Sequence, residues 1–262
     1  MRILVAITEV ATPDDKIDFS DKSITETNFT YGLNEWDEYA IEEAIQISES
    51  SPESDVISIT IAPPSAEKTI RMALAKGVTK AIRVWDPQLE SLPFLDSQLK
   101  AKILSKVAST LSPDVILTGV QSSNDCWGST GVILAAEIGF NWATLVTKLD
   151  ISGKVASVRR ELENGVDEIA EVNLPAVFTI QTGINEPRYA SLRGIKQAQQ
   201  KELEVMSLGD LSSNLDEFKP KTNLIEFSLP ISNNSIQYIE GTPSEQATQI
   251  ATILKDHGFG GS

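Results

Sequence analysis

The apolar and polar positions in the first half of the chain follow two alternating patterns. Short, nearly continuous apolar runs, such as RILVAIT at 2–8, predict strands that are buried on both faces of a sheet. Longer segments with apolar residues at helical spacing, such as DEYAIEEAIQISE at 37–49, predict amphipathic helices. The same patterns predict strands at 55–62, 80–85 and 114–119, and helices at 65–77, 96–111 and 129–139. This order predicts an α/β fold: an open, mostly parallel sheet with helices on both faces.

The alternation of predicted strands and helices ends after residue 142. Four closely spaced strand-like runs follow at 143–151, 154–162, 167–174 and 176–182, with turn signals at Ser152-Gly153 and Asn164-Gly165. They predict antiparallel strands added to the parallel sheet. Residues 208–262 predict an extended C-terminal arm that ends in a capped helix at 241–258. We therefore expect one α/β domain at 1–207 and an arm at 208–262.

Composition and charge narrow the possible partners and chemistries. The formal charge of −15 disfavours nucleic acid and anionic membrane surfaces, which would repel the chain. A single cysteine, Cys126, excludes an intrachain disulfide, and the single histidine, His257, lies in the last six residues. We therefore expect neither a Ser-His-Asp triad nor a metal site. The N-terminal run lacks a basic n-region and no apolar stretch is long enough to span a bilayer, so we expect a soluble, cytoplasmic protein without membrane insertion.

A loop rich in glycine and hydroxyl side chains connects the strand at 114–119 to the helix at 129–139. Its sequence, TGVQSSNDCWGSTGVI at 118–133, leaves the strand through Gly119 and enters a helix N-terminus. Backbone N–H groups, small hydroxyls and the positive end of a helix suit a phosphate. Because the loop has no lysine, we expect neutral donors to hold the phosphate. The alternative is an ordinary capped loop, and the usual dinucleotide and P-loop glycine signatures are absent.

A second helix N-terminus is expected near this loop. LNEWDEYAIEEA at 33–44 follows a long acidic stretch at 9–33, which we interpret as a loop. Asn34 is either a cap of the helix or a side chain that reads a nucleotide base from the end of the first strand. Glu42 and Glu43 are adjacent on this helix and do not face each other, so we interpret them as solvated surface.

The segment NEPRYASLRGIKQAQQKE at 185–202 is nearly polar. After Pro187, its large aliphatic residues are Leu192 and Ile195, one helical turn apart. We expect Arg188 and Tyr189 to fix its base, the tyrosine by burying its ring, and Leu192 to project as a partner's anchor. The alternative is that the two aliphatic residues fold back onto the core.

Together these stretches resemble the β (small) subunit of electron-transfer flavoproteins. The resemblance covers about residues 1–207 and rests on ILVAI, NEWDEYAIEEA, TIRMALAKG with AIRVWD, DVILTGVQSSNDCWGSTG, VRRELENGVDEIAEVNLPAVFTI and, above all, NEPRYASLRGIKQAQ. It implies a Rossmann-like domain that binds adenine nucleotide and forms a heterodimer with an α subunit that holds the redox-active FAD. It also implies acyl-CoA or other flavin dehydrogenases as electron donors and a quinone reductase as acceptor. The chain would then be an electron-carrier subunit and not an enzyme, with no catalytic residue of its own.

The resemblance also implies individual binding residues. An AMP would be bound by residues of the first strands, the 33–44 stretch and the 118–133 loop: Ala6, Asn34, Glu35, Trp36, Asp37, Ile61, Ser122, Ser123, Asn124, Asp125, Cys126, Trp127, Gly128, Ser129, Thr130, Gly131, Val132 and Ile133. Partner recognition would fall on Pro187, Arg188, Tyr189, Leu192, Ile195 and Lys196. The arm at 208–262 would contact the α subunit.

Other functions stay open. Family members that bind a second FAD and split electron pairs tend to carry an Asp-Gly-Asp-Thr-Ala loop where this chain has SSNDCWGSTG, which favours AMP. A nucleotide-binding enzyme of similar fold would need a metal-binding acidic cluster or a lysine at the phosphates. A nucleotide sensor without a redox role would have no use for the segment at 185–202.

Overall fold

The structure, a computed structural model, describes residues 1–13, 19–20, 23–24, 29–51, 53–226, 236 and 238–259. The acidic stretch at 9–33 and the arm at 208–262 therefore lie partly outside the described residues. The strands are β1 (Arg2–Ile7), β2 (Glu9–Pro13), β3 (Phe19–Ser20), β4 (Ser23–Ile24), β5 (Phe29–Leu33), β6 (Asp55–Ile61), β7 (Lys80–Val84), β8 (Val115–Gly119), β9 (Asn141–Ser152), β10 (Val155–Leu162), β11 (Val166–Asn173), β12 (Ala176–Ile180) and β13 (Leu203–Met206). The α-helices are α1 (Glu35–Ser50), α2 (Glu67–Lys76), α3 (Pro87–Glu90), α4 (Ser97–Leu111), α5 (Thr130–Ile138), α6 (Leu192–Ala198), α7 (Leu208–Leu211) and α8 (Pro243–Asp256).

A nine-stranded sheet runs through the described part of the chain in the order β11-β10-β9-β12-β8-β1-β6-β7-β13. The strands from β9 to β13 in this order pair in parallel, and β10 and β11 add antiparallel pairs at one end. The predicted α/β fold with a mostly parallel sheet is therefore confirmed.

Three sequence-based assignments need correction. The run at 176–182 was expected to be antiparallel, but β12 pairs in parallel with both β8 and β9. All five of its residues are buried, so it is a central strand and not an added ribbon. Within the stretch interpreted as a loop, β2 and β5 form an antiparallel pair, and β13 was not predicted at all.

The sheet separates two hydrophobic cores. Alternate residues of β1 face opposite sides: Ile3 and Val5 pack with α1 and α2, whereas Leu4 packs with α4 and α5. This two-sided burial explains why the central strands are nearly continuous apolar runs. None of the helices in the described residues combines the length and apolar character that a bilayer crossing requires.

The strand order places a topological switch point between β1 and β8. The chain leaves β1 toward α1 on one face of the sheet and leaves β8 toward α5 on the other. Connections that diverge in this way open a crevice at the carboxyl ends of the two strands, and open α/β sheets bind ligands there.

Candidate functional site

A cleft opens at this switch point, with about 660 Å³ of space between its walls when the open mouth is included. Ten of the residues expected to bind a cofactor line it: Ala6, Asn34, Asp37, Ile61, Ser122, Asp125, Gly128, Ser129, Thr130 and Gly131. The other eight belong to the same segments but do not line the cleft: Glu35, Trp36, Ser123, Asn124, Cys126, Trp127, Val132 and Ile133. The structure thus brings together segments that lie far apart in the sequence.

Asp37 fastens the two strand ends that flank the cleft. Its carboxylate accepts hydrogen bonds from the backbone N–H of Thr8, just after β1, at 2.7 Å, and of Gly119, the last residue of β8, at 3.0 Å. Burial raises the pKa of Asp37 to about 7, although these N–H donors, the Asn34 side chain and the Lys100 charge act in the opposite direction. A Cβ atom at Gly119 would lie 2.5 Å from Oδ1 of Asp37, so this close approach requires glycine.

Asn34 holds the loop of the cleft and does not cap α1 with its side chain. Its Nδ2 donates to the carbonyl of Gln121 at 2.8 Å, and its Oδ1 accepts from the N–H of Ser123 at 3.2 Å. The side chain makes no capping hydrogen bond to α1, which excludes the side-chain cap as the role of Asn34. The Asn34 side chain bonds to the loop and not to the helix because the loop offers this buried amide both an acceptor and a donor.

The loop between β8 and α5 folds on itself before it enters the helix. Ser122 accepts from the N–H of Asn124 with its hydroxyl, at 3.1 Å, and from the N–H of Cys126 with its carbonyl, at 2.8 Å. Cys126 and Gly128 both adopt positive φ, at 51° and 59°, which reverses the chain direction. These turns deliver the N-terminus of α5 to the floor of the cleft.

The start of α5 offers donors that have no partner among the described residues. The hydroxyls of Ser129 and Thr130 make no hydrogen bond there, and Ser129 does not cap the helix with its side chain. The N–H groups of a helix's first turn have no acceptor within the helix. A Cβ atom at Gly131 would lie 2.6 Å from the methyl carbon of Thr179, so glycine lets this turn pack directly on the strand ends. The arrangement suits an anion.

Lys100 is a cleft residue that the sequence analysis missed. It lies in the first turn of α4, lines the cleft, and places its Nζ 2.6 Å from Oδ2 of Asp125. The cleft therefore offers a cation in addition to the neutral donors of the 118–133 loop. Helices between parallel strands run antiparallel to those strands, so their first turns lie at the ligand-binding edge. That rule makes a cation in any such first turn a candidate.

The residues beside the cleft have other contacts. Trp36 donates its indole N–H to Gln181 at 3.2 Å, and Asn124 accepts from the backbone N–H of Ala11 at 3.1 Å. Trp127 is half-exposed and packs edge-to-face on Phe94. No group of three or more histidine, cysteine or acidic residues that could hold a metal ion occurs among the described residues.

The segment at 185–202 is tied to α1 at its beginning. The Arg188 guanidinium donates to Glu42 at 2.7 and 3.0 Å and to Glu49 at 2.7 and 3.1 Å. Asn185 donates to Glu43 at 2.9 Å, and the carbonyl of Arg188 accepts from Lys76 at 2.9 Å. Glu42 and Glu43 are therefore buried and not solvated surface, because this segment covers them.

The pKa values of these two carboxyl groups shift in opposite directions. Burial alone would raise the pKa of Glu42, but its hydrogen bonds with Arg188 and Gln46 outweigh burial and lower it. Burial raises the pKa of Glu43, against its hydrogen bond with Asn185. Glu42 is thus held as a charged partner of Arg188.

The same segment is tied to α2 at its end. Lys201 donates to the carbonyls of Leu74 at 2.9 Å and Val78 at 2.6 Å. Arg71 donates to the carbonyls of Ala198 at 2.9 Å and Lys201 at 2.8 Å. The segment is therefore a strap that is fixed at both ends.

The middle of the strap is exposed. Leu192 is 88% exposed, which confirms that it projects and excludes the alternative that it folds into the core. Ile195 is only partly covered, Lys196 is exposed and Pro187 is half-buried. Tyr189 is 97% exposed, so the expectation that its ring is buried was wrong. The hydrogen bonds of Arg188 and Lys76, and not the tyrosine ring, fix the base of the strap.

Comparison with known proteins gives concordant similarities. Residues 22–211 match the family model described as "Electron transfer flavoprotein domain". The chain is 37% identical to the electron transfer flavoprotein subunit beta of Methylophilus methylotrophus, over 98% of each chain. It is 32% identical to the subunit of the same name from Bacillus subtilis (strain 168), over 97% of this chain and 98% of the relative. It is 36% identical to a mitochondrial subunit beta of Arabidopsis thaliana, over 88% of this chain and 90% of the relative. The similarity thus extends beyond residue 207 into the C-terminal arm.

Proposed function

We propose a function from the premise that this chain belongs to the electron transfer flavoprotein family, as a β subunit. It pairs with an α subunit that holds the redox-active FAD, and the heterodimer carries electrons from dehydrogenases, such as acyl-CoA dehydrogenases, to a quinone reductase. The β subunit acts as an electron-carrier subunit and not as a catalyst. The observation that carries this proposal is the combination, on one domain, of a nucleotide-type cleft and a strap that displays Leu192.

The cleft is proposed to bind AMP as a structural nucleotide. The hydroxyls of Ser129 and Thr130 and the first-turn N–H groups of α5 would hold the phosphate, because they lack other partners among the described residues. Apolar side chains of Ala6, Ile61 and Leu104 line the same cleft and would contact the base. An FAD in this cleft, as in electron-splitting members of the family, is the second candidate, and the loop sequence 122–131 argues for AMP.

The heterodimer is supported by α8, a helix whose apolar stripe stays partly exposed in the part of the chain that the structure describes. A capping box between Thr242 and Glu245 starts it, yet it contains no buried residue. Ile250, Ile253 and Leu254 are 40–47% exposed on it. A helix with an exposed apolar stripe gains stability from a partner, and the FAD-bearing α subunit is the partner we propose for the arm.

The strap is proposed to dock the donor dehydrogenase. A leucine and a tyrosine that a fixed, polar segment holds in solvent can enter a partner's pocket at little cost in ordering.

We propose that the protein is located in the cytoplasm, as expected from the sequence.

The direct test is to co-produce the chain with an electron transfer flavoprotein α subunit from the same organism and to identify the nucleotides that denaturation releases. We expect a 1:1 complex with one AMP and one FAD. Two FAD molecules for each complex would favour the electron-splitting alternative. A stable homodimer without affinity for the α subunit, or a chain that retains no nucleotide, would refute the proposal.

A further inference from the structure

We propose that Lys100 recognises the charge of the phosphate in the cleft, and that Asp125 occupies Lys100 as a substitute anion until the phosphate binds. This inference rests on the proposed nucleotide function and deepens it. It assigns recognition of the phosphate charge to a residue outside the 118–133 loop.

The geometry sets Lys100 at the junction of three elements. It extends from α4 to the loop, where its Nζ lies 2.6 Å from Oδ2 of Asp125. Ser129 and Thr130, the hydroxyl residues at the start of α5, line the same cleft. The side chains of Lys100 and Asp125 are 21% and 23% exposed, so the pair is mostly shielded from solvent yet reachable from the mouth.

The charges of the side chains that line the cleft make phosphate binding depend on Lys100. The titratable side chains that line it within the described residues are Asp37, Asp125 and Lys100. The charge of Lys100 reaches Asp37 as well, whose pKa it lowers against the larger effect of burial. A phosphate monoester dianion would therefore meet two acidic groups and one cation, and it would bind well only if it competes successfully for that cation.

The partners of Lys100 allow such an exchange. Lys201, by comparison, donates to two backbone carbonyls, of Leu74 and Val78, whose positions are fixed by the main chain. Lys100 has a single hydrogen-bond partner in the described residues, a side-chain carboxylate. That carboxylate also accepts from the N–H of Trp127 through its other oxygen, at 3.3 Å, so Asp125 keeps a partner after the exchange.

The exchange predicts opposite effects for the two members of the pair. Without Lys100, the phosphate loses its cation, so AMP should bind on the order of tenfold or more weaker, as expected for a hydrogen bond to a charged group. Without the Asp125 charge, the competing anion is gone, so AMP should bind more tightly. Adenosine has no phosphate and should be insensitive to both changes.

The test measures the affinities of AMP and adenosine for the nucleotide-depleted full chain by titration calorimetry. The variants are Lys100→Gln, Asp125→Asn and, as a control, Lys102→Gln. Lys102 lies on the same helix, pairs with Glu137 at 3.0 Å and does not line the cleft. We expect Lys100→Gln to weaken AMP at least tenfold, Asp125→Asn to tighten it several-fold, and Lys102→Gln to change neither ligand.

Four outcomes would overturn the inference. If Lys100→Gln weakens AMP and adenosine equally, or if both members of the pair weaken AMP, the ion pair only supports the fold. If AMP binds the wild type and Lys100→Gln changes nothing, the inference fails and the proposed function stands. If the wild type binds neither ligand, the proposed function fails and this inference fails with it.

Discussion

Replacing Arg188 by alanine is expected to destabilise the whole fold, although the residue lies on the surface. Its guanidinium is the cation of Glu42, which is only 4% exposed. Breaking a fully buried ion pair by removing one partner costs about 3–5 kcal/mol. Because the Arg188 side chain is 34% exposed, solvent screens part of the interaction, and we reduce the expected loss to about 2–3 kcal/mol.

The assay is thermal unfolding of the full chain at pH 7. In a chain of this size each kcal/mol lowers the melting temperature by about 2–4 °C, so we expect a decrease of roughly 4–12 °C. The matched control is Tyr189→Ala, the next residue along the chain. Tyr189 is 97% exposed, and its removal should change the free energy of unfolding by no more than about 0.5 kcal/mol.

The pH dependence of stability distinguishes a charge interaction between Arg188 and Glu42 from packing of the Arg188 side chain. The pKa of Glu42 is lowered in the fold, so its contribution to stability is present above its ordinary value of 4.5 and is lost as the pH falls through the folded pKa. The difference between wild type and Arg188→Ala should therefore be largest near pH 7 and shrink in acid. The reasoning would be refuted if Arg188→Ala lowers the melting temperature no more than Tyr189→Ala does. It would also be refuted if the decrease is the same at pH 7 and at a pH below 4.5.

Three further predictions address the cleft and the strap. Thr130→Val should weaken AMP retention by about 1.5–3 kcal/mol without lowering the melting temperature, as measured by the nucleotide released on denaturation; unchanged AMP content would mean that Thr130 only starts the helix. Leu192→Ala should leave melting temperature, AMP content and α-subunit assembly unchanged but slow reduction by the donor dehydrogenase, while reduction by dithionite stays normal; a normal dehydrogenase rate would contradict the docking role. Burial raises the pKa of Asp37 from 3.8 to about 7, so its contribution to stability falls as the pH rises through that window. Unfolding free energies of Asp37→Asn should lack this decline, and identical pH slopes would show that the carboxyl group does not titrate there.

The features that follow from short-range pattern could be predicted from the sequence. The strand at 2–8 and the helix at 96–111 were found because their periodicity is local, and the 118–133 loop because its glycines and hydroxyls are contiguous. The exposure of Leu192 followed from its polar surroundings.

The features that depend on pairing between distant segments were missed. The antiparallel assignment of β12 failed because short spacing says nothing about which strand a run pairs with. Lys100 and Asp125 are 25 positions apart, and only the helix packing brings them together. Glu42 looked solvated because the strap that covers it lies 146 positions later.

The double anchoring of the strap has a consequence for how the protein can diverge. The residues that fix it, Asn185, Arg188 and Lys201, contact the domain, whereas Tyr189 and Leu192 contact little of it. Under the proposed docking role, exchanges at the two exposed positions can retarget the subunit to another dehydrogenase without a loss of stability. Exchanges at the anchors are constrained by folding and not by partner choice. Specificity for the donor dehydrogenase can then evolve, or be engineered, through substitutions at a few exposed residues.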